Sequence, residues 1–180
     1  MMHENHKLKP CVFFDRDGIV NRFPGEGLYV ERVEDFHIQR GFLDALRVVS
    51  AKGYVAVIVT NQRGVALGKM TMDEVHAMHE RLRKHLATEG LELLDIFVCP
   101  HGDNAHPDRK PNPGMLLEAA RKHGLDLSRS WMIGDSERDI EAGRRAGCAG
   151  TVFVGHKENA ADHQVPDIEH LAALLVKVLP

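Results

Sequence analysis

Apolar residues along this chain fall into short unbroken runs, separated by longer stretches with helical spacing. The runs are Cys11–Phe14, Val55–Val59, Ile96–Val98, Trp131–Ile133 and Thr151–Val154. A strand with one wet face alternates apolar and polar side chains, whereas a strand covered on both faces is apolar throughout. Five buried strands are therefore predicted. Between them, Phe42, Leu46 and Val49 share one helical face ahead of Gly53, a C-capping position. Val75, Met78, His79, Leu82 and Leu86 recur at three- and four-residue steps in a helix from Met72 to Leu86, with Thr71 as its N-cap. Pro113–His123 closes on Gly124, Glu137–Ala146 closes on Gly147, and a last helix runs from about Ile168 to Val178. The alternation predicts an α/β fold, a Rossmann-like parallel sheet with right-handed crossovers and helices on both faces.

Such sheets bind ligands at the carboxyl ends of their strands. Three of the predicted strands are followed directly by polar residues: Asp15 and Asp17, Thr60 and Asn61, and Asp135. In extended chain, residues two apart point the same way, so Asp15 and Asp17 face one site, and Gly18 lets the chain turn behind them. Asp139 lies one helical turn after Asp135. Singly, each group has a plain structural explanation: a solvated turn, a helix cap, turn chemistry, or a basic surface pair at Arg109-Lys110. Together they are the inventory of metal-assisted phosphoryl transfer: nucleophile, acid/base, cations for phosphate oxygens and carboxylates for Mg²⁺.

Composition narrows the classes. A chain of 180 residues suits one domain with one sizeable core, and no linker or repeat divides it. With 23 basic and 26 acidic residues the net charge is −3, which gives no reason to expect a nucleic-acid partner or a membrane anchor. No apolar run approaches the roughly 18 residues of a spanning helix. Met1–Lys7 lacks the apolar core of a secretory signal. Three widely spread cysteines argue against a disulfide framework and for a reducing cytoplasm.

The motifs Phe14-Asp15-Arg16-Asp17-Gly18, Val59-Thr60-Asn61, Lys110-Pro111, and Gly134-Asp135 with Asp139 resemble, in order, the four motifs of the haloacid-dehalogenase (HAD) superfamily of phosphatases. The resemblance runs from about Val12 to Val154. Three stretches are similar to the branch that hydrolyses heptose bisphosphate and histidinol phosphate: Asp15–Asn21, Thr60–Gly64, and Cys99-Pro100-His101 through Arg109–Met115. The Pro-x-Pro-Gly-Met at Pro111–Met115 is closer to the heptose side.

This resemblance implies hydrolysis of a small sugar phosphate, first of all the 7-phosphate of a heptose 1,7-bisphosphate, through an aspartyl-phosphate, with histidinol phosphate as the alternative substrate. It implies Asp15 as nucleophile and Asp17 as acid, then base. Thr60, Asn61 and Lys110 would stabilise the phosphoryl group, and Asn21, Arg63 and Arg109 would bind substrate. Mg²⁺ would be held by Asp15, the Asp17 backbone carbonyl and Asp135, with Asp139 in support. Relatives in this branch hold zinc in a loop. Here residues 99–110 offer Cys99, His101, His106 and Asp108, so Zn²⁺ is a second expected metal. About 40 residues between the first two strands leave no room for a large cap. Residues 21–36 are a small flap or a plain connection.

Arg63 stands where the heptose members commonly carry a small residue, and Leu67 where a basic one is expected. Arg63 and Arg109 would then supply the charge for a second phosphate. A phospho-accepting receiver domain is disfavoured by the order, since its acidic pair precedes its Thr and Lys. A non-catalytic phosphate-binding module is disfavoured by the complete set of groups. The expected protein is a monomer acting on a small molecule.

Overall fold

The computed structural model describes residues 8–180, so the Met1–Lys7 start lies outside the described residues. Its strands are β1 Cys11–Phe14, β2 Val55–Asn61, β3 Asp95–Cys99, β4 Trp131–Gly134, β5 Gly150–Val154 and β6 His163–Val165. All pairings are parallel, and the order across the sheet is β3-β2-β1-β4-β5-β6. The chain builds outward from β1 in one direction, then returns to start the other half at β4. The seam between β1 and β4 is therefore the topological switch point, where connections leave in opposite directions and open a crevice.

Alternation along β1 separates two cores. Val12 and Phe14 face α1 (Arg40–Ala51), α3 (Met72–Thr88) and α6 (Leu171–Val178), packing among Phe42, Leu46, Met78, Leu82 and Leu171. Cys11 and Phe13 face α4 (Gly114–His123) and α5 (Glu137–Ala146), with Met115, Leu116, Ala142 and Met132. Phe14 meets Phe42 edge to face with ring centroids 5.3 Å apart. Truncating such a fully buried ring costs about 3–5 kcal/mol, so the strand that carries the first acidic pair is anchored from both sides.

The predicted helices form, with small shifts at their ends. Thr71 caps α3 in a reciprocal box: its hydroxyl accepts from Glu74 N at 3.2 Å, and the Glu74 carboxylate accepts from Thr71 N at 2.7 Å. α4 starts at Gly114, with Pro113 as its cap. The last helix is split, a 3-10 turn at Ile168–His170 leading into α6. Two features went unanticipated. β6 reads His-Gln-Val, too short and polar to register as an apolar run. A four-residue helix α2 (Arg63–Ala66) follows β2. Thr60 and Asn61 belong to β2 itself, paired with Val98 and Cys99, instead of forming a turn.

Candidate active site

Four charged groups meet where β1, β2 and β4 end. Lys110 is 2% exposed, and its ammonium donates to Asp15 Oδ1 at 2.7 Å and Val59 O at 2.8 Å, with Asp139 Oδ1 also at 2.7 Å. An ammonium has three protons, and all three are occupied. Burial opposes the Lys110 charge, but Asp139 and Asp15 outweigh it and hold its pKa above the ordinary lysine range. Asp15 is pushed up to about 7 by burial and the Asp139 charge, against the pull of Lys110. Asp135 is pushed up to about 8 by burial, Asp15 and Asp139. Three carboxylates share one ammonium, which leaves uncompensated repulsion at neutral pH.

Two glycines permit this crowding. Gly18 has φ +91°, and a β-carbon there would collide with the Asp135 carboxylate. At Gly134 a β-carbon would collide with Asp139. Asp139 in turn accepts from Ser136 N at 3.1 Å within the capping box that starts α5, so helix initiation and site assembly share one side chain.

Asp17 sits beside this cluster in a ring of donors. Arg16 Nη2 reaches its two oxygens at 3.0 and 3.3 Å, Asn21 Nδ2 donates at 2.9 Å and Gln62 Nε2 at 3.0 Å. Gln62 also donates to Thr60 Oγ1 at 2.8 Å, leaving the buried Thr60 hydroxyl its own proton to give. A cavity of about 510 Å³ opens over Asp15, Asp17, Lys110, Asp135 and Asp139, walled by Phe23, Glu26, Gly27 and Tyr29 from segment 21–36 and by Asn61, Arg63, Arg109 and Arg138. A second lobe of about 630 Å³ shares Phe23, Asp135, Ser136 and Arg138 and extends to His156 and Lys157.

A family model described as HAD-hyrolase-like matches residues 108–176. A D-glycero-D-manno-heptose-1,7-bisphosphate 7-phosphatase from Thermosynechococcus vestitus is 40% identical over 156 residues, 79% of this chain and 77% of that one. A relative from Salmonella typhi, named a D-glycero-beta-D-manno-heptose-1,7-bisphosphate 7-phosphatase, is 33% identical across 95% of this chain and 97% of its own. The chain belongs to the HAD superfamily of phosphatases. Among solved structures, the D,D-heptose 1,7-bisphosphate phosphatase of B. bronchiseptica, complexed with magnesium and phosphate, superposes with a TM-score of 0.81 at 29% identity. It covers 93% of this chain and 98% of its own.

In this HAD phosphatase the donor chemistry fits a hard divalent cation. One oxygen from each of Asp15, Asp135 and Asp139 lies within 4.8 Å of the other two. Carboxylate oxygens at a charge-deficient site are what Mg²⁺ takes, and a cation there would relieve the repulsion that raises Asp15 and Asp135.

Several expectations need correction. Asn21 is fully buried behind Asp17 and does not line the cavity; its Nδ2 is taken by Asp17 Oδ1 at 2.9 Å and Arg22 O at 3.1 Å, so what it visibly does is support a carboxylate. Both ends of the Asn61 amide are taken by the Lys110 backbone, Oδ1 accepting from its N–H and Nδ2 donating to its carbonyl, each at 3.0 Å. Asn61 therefore brackets Lys110, and the second proton of its Nδ2 remains at the cavity wall. The zinc-type set does not converge. Among the described residues, the one group of three or more carboxylate, imidazole or thiol ligands is Asp15, Asp135 and Asp139. His106 Nδ1 accepts from Asp108 N at 3.2 Å, the His101 and His106 rings stack at 4.0 Å, and the Cys99 thiol is buried in an apolar cluster, which pushes its pKa up. The loop is pinned by protein groups instead. Arg109 donates to Asn104 Oδ1 and His101 O, both at 3.1 Å, and Asn112 donates to Asn104 O at 3.0 Å and His106 O at 2.9 Å.

Arg63 and Arg109 reach the cavity as expected, and Arg138 joins them. No sequence rule singled out Arg138. The signal available was a cation on the first turn of a helix, where the macrodipole favours acids. None of the three is paired with a carboxylate among the described residues. Burial lowers the Arg109 pKa, and the neighbouring charges of Arg138 and Arg63 lower it further.

Proposed function

We propose that this phosphatase hydrolyses a small sugar phosphate through an aspartyl-phosphate on Asp15, and that its substrate is D-glycero-D-manno-heptose 1,7-bisphosphate, losing the 7-phosphate. The reaction is carried by one observation: Asp15, Lys110, Asp135 and Asp139 meet at the switch point with Asp17 facing the same cavity. The names of the relatives support the sugar, and the three carboxylate-free arginines support a second phosphate on it. A guanidinium fork matches phosphate oxygens in pairs. Histidinol phosphate, whose leaving group is cationic, suits that wall poorly.

An oxygen of Asp15 attacks phosphorus as the bond from phosphorus to the sugar oxygen breaks, and Asp17 delivers its proton to that oxygen. Asp17 then takes a proton from a water whose oxygen attacks phosphorus, and the Asp15–phosphorus bond breaks to release inorganic phosphate. Lys110 holds Asp15 in line and sets positive charge beside the phosphoryl oxygens, while Thr60 offers them its hydroxyl. Asp15, Asp135 and the Asp17 backbone carbonyl would hold Mg²⁺, with Asp139 beside them, and the ion supplies charge that offsets carboxylate–phosphate repulsion. The metal-free Asp15 pKa of about 7 is the reason such charge is needed, because the nucleophile must be ionised.

We further propose that residues 21–36 act as a small flap over the cavity, since Phe23 and Tyr29 wall it. The enzyme would work as a monomer in the cytoplasm, where its three free cysteines would stay reduced. No helix among the described residues is long and apolar enough to cross a membrane.

The test is phosphate release from both anomers of the heptose bisphosphate, the heptose 7-monophosphate and histidinol phosphate, with Asp15→Asn as the blank. Losing a charge-assisted contact costs about 1.5–3 kcal/mol, so the monophosphate should fall about 10- to 100-fold in kcat/KM. A preference for histidinol phosphate would overturn the substrate, and turnover by Asp15→Asn would overturn the nucleophile.

A further inference from the structure

Helix α3 contributes nothing to the strand ends, yet one of its inward residues is polar. Its buried positions are Val75, Met78, Leu82, Leu86 and His79. An imidazole among aliphatic side chains gives up hydration and needs a partner to compensate. The partner of His79 is Arg16, the residue between the two aspartates of the first motif. Arg16 is fully buried, which is rare for an arginine. One edge of its guanidinium points to the site: Nε lies 3.1 Å from Asp17 Oδ1, and Nη2 3.0 and 3.3 Å from the two Asp17 oxygens. The other edge points into the core, with Nη1 at 3.4 Å from His79 Nε2 and 3.9 Å from the Met78 sulfur. The Phe36 ring covers the plane at 5.5 Å.

We infer that His79 is a positioning residue for the proton-transferring carboxylate: its uncharged ring accepts from Arg16 and so holds the guanidinium that fixes Asp17. The inference rests on the phosphatase reading above, in which Asp17 protonates the leaving sugar oxygen. Its logic is donor counting. A guanidinium only donates, so His79 Nε2 is the acceptor and carries no proton, and the ring is the neutral tautomer with hydrogen on Nδ1. Burial and the Arg16 charge agree with this, holding the His79 pKa down at about 3. A protonated imidazole at the same place would push the guanidinium away. Met78 sulfur is a weak acceptor and does not substitute for the ring nitrogen. Without His79, Nη1 has no strong acceptor, the fork tilts, and the Asp17 carboxylate turns with it.

Kinetics of His79→Leu and His79→Gln, on the heptose bisphosphate and on p-nitrophenyl phosphate, test this. Leucine matches the apolar pattern of α3, so the variant removes the acceptor while keeping the core filled, and His79→Met serves if it fails to fold. A misplacement near 1 Å costs about 100-fold, so kcat on the sugar ester should fall roughly 10- to 100-fold with KM changed about twofold or less. On the aryl ester, whose leaving group departs without a proton, the rate of the first step alone, read as the pre-steady-state release of p-nitrophenol, should fall no more than about threefold, because Asp17 acts there only later, as the base that hydrolyses the aspartyl-phosphate. Glutamine, whose carbonyl oxygen accepts from Nη1, should restore most of the sugar-ester kcat. An equal loss in the first, p-nitrophenol-releasing step and in sugar-ester kcat, unchanged sugar-ester kcat in His79→Leu, or glutamine no better than leucine would each overturn the positioning role while leaving the phosphatase reading intact. A wild-type protein that turns over neither ester would remove that reading, and this inference with it.

Discussion

Replacing Lys110 by methionine separates charge from packing at the centre of the site. Methionine keeps an unbranched stem in the space Lys110 occupies but removes the ammonium that Asp15, Asp139 and the Val59 carbonyl share. Stripping one partner from a buried ion cluster costs about 3–5 kcal/mol, because the remaining charges are left uncompensated. For a chain of this size each kcal/mol lowers Tm by about 2–4 °C, so a drop of about 6–20 °C is expected in metal-free buffer at pH 8.

The sign of its pH dependence follows from the two raised carboxyls. Asp15 at about 7 and Asp135 at about 8 hold protons in the folded metal-free protein that the unfolded chain has already lost above its ordinary value of 3.8. Folded stability from these groups is thus fully present below about pH 4 and is lost as pH rises through 7 to 8. Lys110 lowers both values, so removing it pushes both further up and deepens the loss at high pH. At pH 5 the two carboxyls are neutral and the substitution should be much milder. Differential scanning calorimetry of wild type and Lys110→Met at pH 5 and 8, with EDTA and with Mg²⁺, reads this directly. Mg²⁺ should recover part of the loss at pH 8. A Tm loss equal at both pH values, with no recovery by Mg²⁺, would mean that Lys110 matters only as packing.

Two further outcomes follow from the same geometry. Mg²⁺ binding by isothermal titration should tighten from pH 6 to pH 9 and release protons to buffer, since Asp15 at about 7 and Asp135 at about 8 must ionise to bind it, and a pH-independent affinity would contradict the shared site. Gly18→Ala should abolish phosphatase turnover and destabilise the fold by more than about 1 kcal/mol, because φ +91° is strained for alanine and its methyl group would strike Asp135; an active, stable variant would show that the two motifs do not abut.

What was legible in the sequence divides by the kind of physics involved. Unbroken apolar runs and helical periodicity are dictated by burial on both sheet faces, so five strands and the main helices could be read one residue at a time. β6 escaped because an edge strand of His, Gln and Val buries only its valine. The acidic pairs were legible because strand ends converge by topology, whatever their side chains then do. Fine division of labour was not legible, since it depends on where donors and acceptors are consumed. Asn61 brackets the Lys110 backbone, and Asn21 spends both amide protons on Asp17 and the Arg22 carbonyl, duties that their places beside motif residues do not announce. Arg138 and His79 were hidden for the opposite reason: each sits at a position that helical patterning already explains as surface or core. A polar residue accommodated by a pattern is the kind that only partners can reveal. The Arg16 guanidinium shows why that matters, because its two edges tie Asp17, the proposed leaving-group acid, to a helix that carries none of the four motifs.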